Sequence, residues 1–370
     1  MPVLRCVYAS RRIVNGSVEV ILNPTAGSGA GKRWQIRIAE LVAARWGEAA
    51  FHATSRQGEA TELARAAVAG GASMVIVCGG DGTIQEVANG MLSAGNGPVE
   101  CELGIVNCGT GRGLADSLGL PSALEEQLAL IHEGDAVPLD IGRVRYVGMD
   151  GRPAERLFVN ECQLGIGGAV VAKVEKGKSS SGDMKSKVKS QKPRVNAADD
   201  DAKNGSGRHG ITGYKQLGGT MAFGLVAVKE LVGLRCPELS VQIDDDQPVK
   251  GRFVGIMVGN GAKCGGGMRL TPDARTDDGV LDVVLVREMS VARRLWLFPK
   301  IYRGRHTGVD GITSHRARRV FVTGSDAAAL EADGEPLGHS PCTIDVLPSA
   351  LRLRAGKRAG AREWGVGSRE

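Results

Sequence analysis

The chain has 370 residues, with 47 Lys and Arg against 41 Asp and Glu and a formal charge of +6. That length fits two domains, each large enough to bury a core, and 42% apolar with 24% charged residues excludes a wholly disordered chain. No run of about 18 apolar residues occurs and the start MPVLRCVYASRR lacks a hydrophobic signal region, so neither a membrane-spanning nor a secreted protein is expected.

VEVIL at 18–22 reads as a buried strand. From Lys32 to Trp46 the apolar positions Trp34, Ile38, Leu41, Val42 and Trp46 share one face of a helix. A second helix pattern runs from Glu59 to Val68 through Ala60, Leu63, Ala64, Ala67 and Val68. MVIVC (74–78) and LGIVN (103–107) have the continuous apolar character of parallel strands covered on both faces, and another helix fills 83–93. This alternation predicts an open α/β sheet.

From about Val137 the texture changes. RLFVNECQL, FVGIMVGN, VLDVVLVRE, RRVFVTG and CTIDVLP are separated by Gly, Pro and Asp turns, which predicts an antiparallel β domain with one helix near 217–232. The expected division is an α/β domain over 17–138 and a β-sandwich over 139–346, with about 347–356 a candidate return to the first domain. Residues 176–212 hold almost no large apolar side chain and read as a disordered insertion.

Eleven basic and five acidic residues lie between Lys173 and Lys215, and the tail from Arg352 carries six against two. The remainder is therefore mildly acidic, and with aromatics at only 4% no nucleic-acid partner is expected. The basic insertion is a candidate contact for anionic lipid, with a plain solvated linker as the alternative. Eight cysteines show no CxxC spacing, so they read as reduced, packed thiols of a cytoplasmic protein.

Three glycine clusters follow three of the strands. Asn23-Pro24-Thr25-Ala26-Gly27-Ser28-Gly29-Ala30-Gly31-Lys32 resembles an anion-binding turn, but Ala26 and Arg33 break a Walker A pattern and Lys32 breaks GxGxxG. Gly79-Gly80-Asp81-Gly82-Thr83 is sharper. Its glycines let backbone approach a polyphosphate, Thr83 is placed to cap the next helix, and Asp81 beside phosphates calls for a mediating cation or a hydroxyl donor. Cys108-Gly109-Thr110-Gly111-Arg112-Gly113 ends the next strand. Ligands of open parallel sheets bind at that rim, so the convergence of three loops carries more weight than any one of them.

With these motifs in order over about 17–356, the chain resembles the diacylglycerol kinase catalytic-domain family, which includes bacterial and sphingosine kinase-like lipid kinases. NPTAGSG, Thr54 in ATSRQGEA, GGDGTIQEVANG, GTGRGLADSLGLP, PLDIGRV, FVNECQLGIGG, LTPDARTDDGVLDVV, GRHTG and EADGEPLG carry the resemblance. GGDGT is shared with NAD kinases, whereas PDARTDDG and DGEP mark the lipid-kinase branch.

The resemblance implies an α/β nucleotide-binding domain joined to a β-sandwich, with the active site in the cleft between them. It implies ATP at Asn23, Gly27, Thr54, Gly79, Gly80, Asp81, Gly82, Thr83, Gln85, Gly109 and Thr110, with Lys32, Arg33 or Arg112 neutralising phosphate. A structural Mg²⁺ is implied at Asp278 with the carbonyls of Arg275 and Val280. Asp333, in the acidic motif with Glu335, is favoured as general base and Asp81 as organiser of Mg²⁺, the reverse assignment remaining open.

The chain departs from GTGN at Arg112 and Gly113, and has Asp116 where a basic residue is common. The expected activity is ATP- and Mg²⁺-dependent phosphorylation of a diacylglycerol or long-chain-base hydroxyl, by a cytoplasmic protein in reversible contact with membranes. A NAD kinase-like nucleotide kinase and an impaired lipid- or nucleotide-binding homologue are the alternatives. Oligomeric state is left open, a homodimer among the options.

Overall fold

The computed structural model describes residues 17–95, 99–109, 111–174 and 219–355. The proposed insertion at 176–212, Cys6, Thr110 and the tail beyond 355 lie outside the described residues.

The N-terminal half is an open parallel sheet. β1 (Val18–Leu22) lies between β2 (Ala50–Ala53) and β3 (Met74–Gly79), and β3 pairs with β4 (Glu102–Asn107). Every residue of β3 is buried, as a strand covered by helices on both faces must be. α1 (Ala26–Trp46) and α5 (Leu124–Glu133) cover one face, where Ile38, Leu41 and Val42 pack on Val20, Ile76 and Leu128. α2 (Glu59–Ala69) and α3 (Asp81–Leu92) cover the other through Ala60, Ala64, Ile84 and Val87. α1 starts six residues before the expected Lys32, and its first turns include Gly27 and Gly29 at positive φ values of 58° and 89°, irregular positions that glycine tolerates without a Cβ. α4 (Gly113–Ser117) is a single short turn.

The C-terminal half is β-rich. β5 (Ala136–Gly148), β6 (Pro153–Phe158), β7 (Glu161–Gly165), β8 (Glu238–Ile243), β9 (Val249–Gly259), β10 (Leu281–Arg287), β11 (Ile312–Ala317), β12 (Arg319–Gly324), β13 (Ala329–Ala332) and β14 (Glu335–Arg354) pair almost wholly antiparallel. Their inner faces share one core that includes Val144, Phe158, Phe253, Leu281, Val283, Val320 and Ile344.

Among the described residues three helices occur here against the one expected near 217–232: α6 over 166–174, α7 (Gly219–Gly233), which is the expected helix, and α8 (Val291–Ile301). No element is expected over α8 from the sequence; Ser290 marks its start by accepting the Arg293 N–H at 3.4 Å and capping the helix. α6, α7 and α8 enclose a separate apolar cluster against β9 and β10, with Val170, Leu231, Met257, Val284 and Leu297.

The last residues of β14 leave the sandwich and pair in parallel with β4, Arg352 opposite Glu102 and Leu353 opposite Leu103. β5 accompanies β14 along this path, so two continuous strands tie the halves together. Leu353 is 1% exposed within the α/β core. Leu353→Ala is expected to cost about 2–5 kcal/mol in urea denaturation. A loss well under about 1 kcal/mol would show that this return strand contributes little.

Candidate active site

β1, β3 and β4 end at one rim, with Leu22 beside Cys78 and Gly79 beside Asn107. The three glycine clusters therefore meet, and they touch through backbone. A Cβ at Gly27 would lie 2.0 Å from the Cys108 carbonyl oxygen, and one at Gly109 would lie 2.7 Å from the Gly80 Cα. Only glycine permits such approach. The Asn23 Nδ2 donates to the Thr83 Oγ1 at 2.9 Å, linking the first two clusters. Thr83 thus receives Asn23 and does not cap α3; Gly80 stands at that N-cap. Thr54 joins the rim by donating its N–H to the Leu22 carbonyl at 2.8 Å. Lys32 and Arg33 are exposed in the first turns of α1. Gly82 faces open space at the start of α3.

Asp81 opens α3, and Asn107 Nδ2 donates to its Oδ1 at 3.4 Å. Burial and the nearby Asp333 carboxylate push the Asp81 carboxyl up to about 7, against the pull of the Gly113 and Leu114 N–H groups. Asp333 sits in the β13–β14 turn with φ of 49°. Its Oδ2 accepts the Val159 N–H at 2.8 Å, and its Oδ1 accepts those of Asn160 and Glu161 at 2.9 and 3.0 Å. Burial raises this carboxyl to about 6 although the three N–H donors favour its anion.

Asp81 and Asp333 line one cavity of about 240 Å³ together with Glu161, Gln163 and Glu331. Burial raises both Glu161 and Glu331; the Asp333 and Asp81 carboxylates raise Glu161 further, and those of Glu161 and Asp333 raise Glu331. The Gln163 Nε2 donates to Glu161 at 2.9 Å, while the Glu331 Oε1 is buried without a hydrogen bond. Beyond this acidic end the walls are apolar: Val170, Leu231, Met257, Leu270, Phe298 and Ile301. Among the described residues no Lys or Arg lines the cavity.

Several sequence expectations need correction. Gln85 is fully buried, donates to the Leu157 carbonyl and accepts from Arg156, so it clamps α3 to β6 and is not free to bind a nucleotide. Arg112 turns away from phosphate. Its guanidinium donates to Asp116 at 3.2 Å and to the carbonyls of Leu120 and Pro121, so the two departures from the family pattern pair with each other behind the loop. Glu335 lies outside the cavity lining and accepts Arg156 at 2.6 Å; through Arg156 it reaches Gln85, which makes it a positioning residue.

The implied structural Mg²⁺ set does not fit. The Asp278 carboxylate faces the Arg316 guanidinium with one oxygen and accepts the Val280 N–H with the other, so both are already partnered. No step is derived through a metal there. The sequence reading also missed Asn107, Arg156, Glu161, Gln163 and Glu331. The last three carried a signal, since charged or amide side chains inside the strand runs NECQL and ALEA must face something other than apolar core.

Residues 17–144 match the diacylglycerol kinase catalytic domain, and residues 208–355 match the YegS C-terminal NAD kinase beta sandwich-like domain. The chain belongs to the diacylglycerol kinase catalytic-domain family of lipid kinases. Among its relatives are proteins named diacylglycerol kinase from Bacillus subtilis strain 168 and from Mycobacterium tuberculosis strain H37Rv, each 26% identical. The first match covers 87% of this chain and 90% of the relative, the second 93% and 96%. The fold is also that of a crystal structure of a diacylglycerol kinase from Bacillus anthracis str. Sterne, with a TM-score of 0.63 at 21% identity over 92% of this chain and 97% of that one.

The folded protein holds the Asp81 proton more tightly than the unfolded chain does. Ionising Asp81 therefore costs stability progressively as pH rises from about 4 to about 7, and fully above that. Asp81→Asn is expected to melt several degrees above the parent near pH 8, with the gap closing as pH falls towards 4, in differential scanning calorimetry. A variant that melts lower near pH 8 would show that its neighbours stabilise the charged form.

Proposed function

We propose that this kinase transfers the γ-phosphoryl group of ATP, bound with Mg²⁺, to the hydroxyl of a diacylglycerol or long-chain base. One observation carries the reading: the carboxylates of both halves share the head of a cavity whose remaining walls are apolar. An acceptor with its hydroxyl at the acidic end and its chain along Val170, Leu231 and Phe298 satisfies both kinds of surface. A nicotinamide dinucleotide, polar throughout, leaves those walls unmatched, so the apolar lining favours lipid over the NAD kinase-like alternative.

The touching glycine loops let backbone approach the rim closely, so that N–H groups there would neutralise phosphate without side-chain bulk. Asp81 is the residue that would hold magnesium. One protein carboxylate suffices when phosphates and water complete the shell, and the elevated Asp81 pKa marks a carboxylate in need of a counter-charge. The ion, when bound, supplies charge neutralisation between the phosphates. Asp333 takes the acceptor's proton. Three backbone N–H donors occupy three of its four lone-pair sites and aim the carboxylate, leaving one for the hydroxyl.

Purified protein with ATP and Mg²⁺ is expected to phosphorylate dispersed diacylglycerol or a long-chain base and not NAD, read by mass spectrometry of the products. Phosphorylation of NAD alone, or of no alcohol by folded, ATP-binding protein, would overturn the assignment.

Asp333→Asn is expected to lower kcat by roughly 10²–10⁴-fold. As the base must be ionised, kcat/KM of the parent should rise with pH through about 6, the Asp333 value. An acid limb near 7 that Asp81→Asn removes would transfer the role of base to Asp81.

A further inference from the structure

The outward face of α8 is apolar where a surface helix is ordinarily polar. Val291, Leu295 and Trp296 are exposed, Trp296 by 55%, and Tyr302 just beyond the helix is exposed too. Arg294 is the reverse case, a cation turned inward and only 8% exposed. Its guanidinium donates to the carbonyls of Met289, Leu231 and Leu234, so it seals the end of α7 onto α8. That bonding sets the rotation of the helix. With Arg294 and Leu297 held inside, Leu295 and Trp296 must face out.

Cations border this apolar face. The Lys300 Nζ lies 3.2 Å from the Trp296 ring centroid, and Arg303 and Arg305 follow in exposed positions. Among the described residues no carboxylate pairs with these three, whereas Arg293 is matched by Asp310. The opposite face of the same helix, through Phe298 and Ile301, is a wall of the cavity. α8 therefore separates the apolar cavity from the outside, with apolar side chains on both of its faces.

We infer that α8 is the element that docks on an anionic bilayer, with Leu295 and Trp296 entering the interface and Lys300, Arg303 and Arg305 at the level of the lipid phosphates. Tryptophan favours that interface, and lysine and arginine reach the phosphates with their stems in apolar surroundings. Charge complementarity selects this occupant. A second copy of the chain, meeting this face symmetrically, would set the same unpaired cations against one another. The purpose of docking rests on the lipid-kinase reading, since it brings an acceptor chain beside the cavity wall, but the contact itself is measurable without turnover.

The experiment floats the full chain with vesicles of phosphatidylcholine, with and without phosphatidylglycerol. The double variants Leu295→Ser/Trp296→Ser and Lys300→Glu/Arg303→Glu are compared after circular dichroism and melting show them folded. Each is expected to lower partitioning onto the anionic vesicles by about ten-fold or more, and the response to added phosphatidylglycerol should be lost in the charge-reversed pair. Brominated lipid should quench fluorescence of the parent more than that of Trp296→Phe, a variant that keeps an aromatic ring and reports insertion even if the serine pair unfolds.

Unchanged partitioning in both double variants would overturn the proposal, as would binding lost only on deletion of 177–211. A serine pair that turns a dimer into a monomer in sedimentation without altering vesicle binding would reassign the face to self-association and overturn it likewise. Docking as expected with no lipid turnover by the parent would leave this inference standing and defeat the activity. Turnover of a dispersed short-chain acceptor with no vesicle binding would do the opposite.

Discussion

The Asp333 carboxylate, gripped by the N–H groups of Val159, Asn160 and Glu161, is the contact on which the rest of the site depends. Two of the donors come from the break between β6 and β7 and the third from the first residue of β7, and the acceptor from the turn between β13 and β14. In return the Asp333 N–H donates to the Glu161 carbonyl at 3.0 Å. A turn residue at positive φ is costly for an aspartate, and these bonds from both sides hold it there. They also favour its anion in a buried place, so one arrangement sets position and protonation together.

Around that contact polar side chains join the two halves, beside the apolar cluster that Leu139, Ile141, Val159 and Leu353 share with the N-terminal sheet. Gln85 and Asn89 of α3 bond the backbone of Leu157, and Arg156 spans Gln85 and Glu335. On the other flank Asn160 and Ser117 both bond the Lys263 carbonyl, and the Asn260 amide bridges the carbonyls of Asp140 and Val159. Buried amides of this kind lose more when displaced than apolar contacts do, because each leaves a donor or acceptor unpaired. The relative placement of the glycine rim and the Asp333 turn is specified by this directional set. β5 and β14, which run through both halves, supply the mechanical frame.

The cavity combines two solvation demands. Four carboxyls gather at its head with no cation among the described lining residues, and the pKa of each is raised. Its far walls, from α6, α7 and α8, are hydrocarbon. A fold built for stability alone would not assemble like charges next to an apolar tunnel. A nucleotide-borne cation and an amphipathic acceptor would relieve both, which is the reading favoured above.

Much of this was legible in the residues themselves. The strand–helix alternation follows from periodicity, and the glycine loops from residues that only tight backbone requires, because both are local properties of the chain. The parallel sheet, the loop convergence and the family motifs all follow from such local patterns. What a side chain meets is not local. Gln85 and Arg112 stand in loop motifs and look free to bind phosphate, yet Leu157, Arg156, Asp116 and the Leu120 carbonyl engage them from other parts of the fold. Asp278 is claimed by Arg316 from a neighbouring strand, and α8 is held in place where Ser290 caps it and Arg294 meets the end of α7. The sequence by itself determined which backbone could bend, wind or approach closely. Only the tertiary structure decided which charges are paired, buried or left facing the cavity, since hydrogen bonds and desolvation depend on partners distant along the chain.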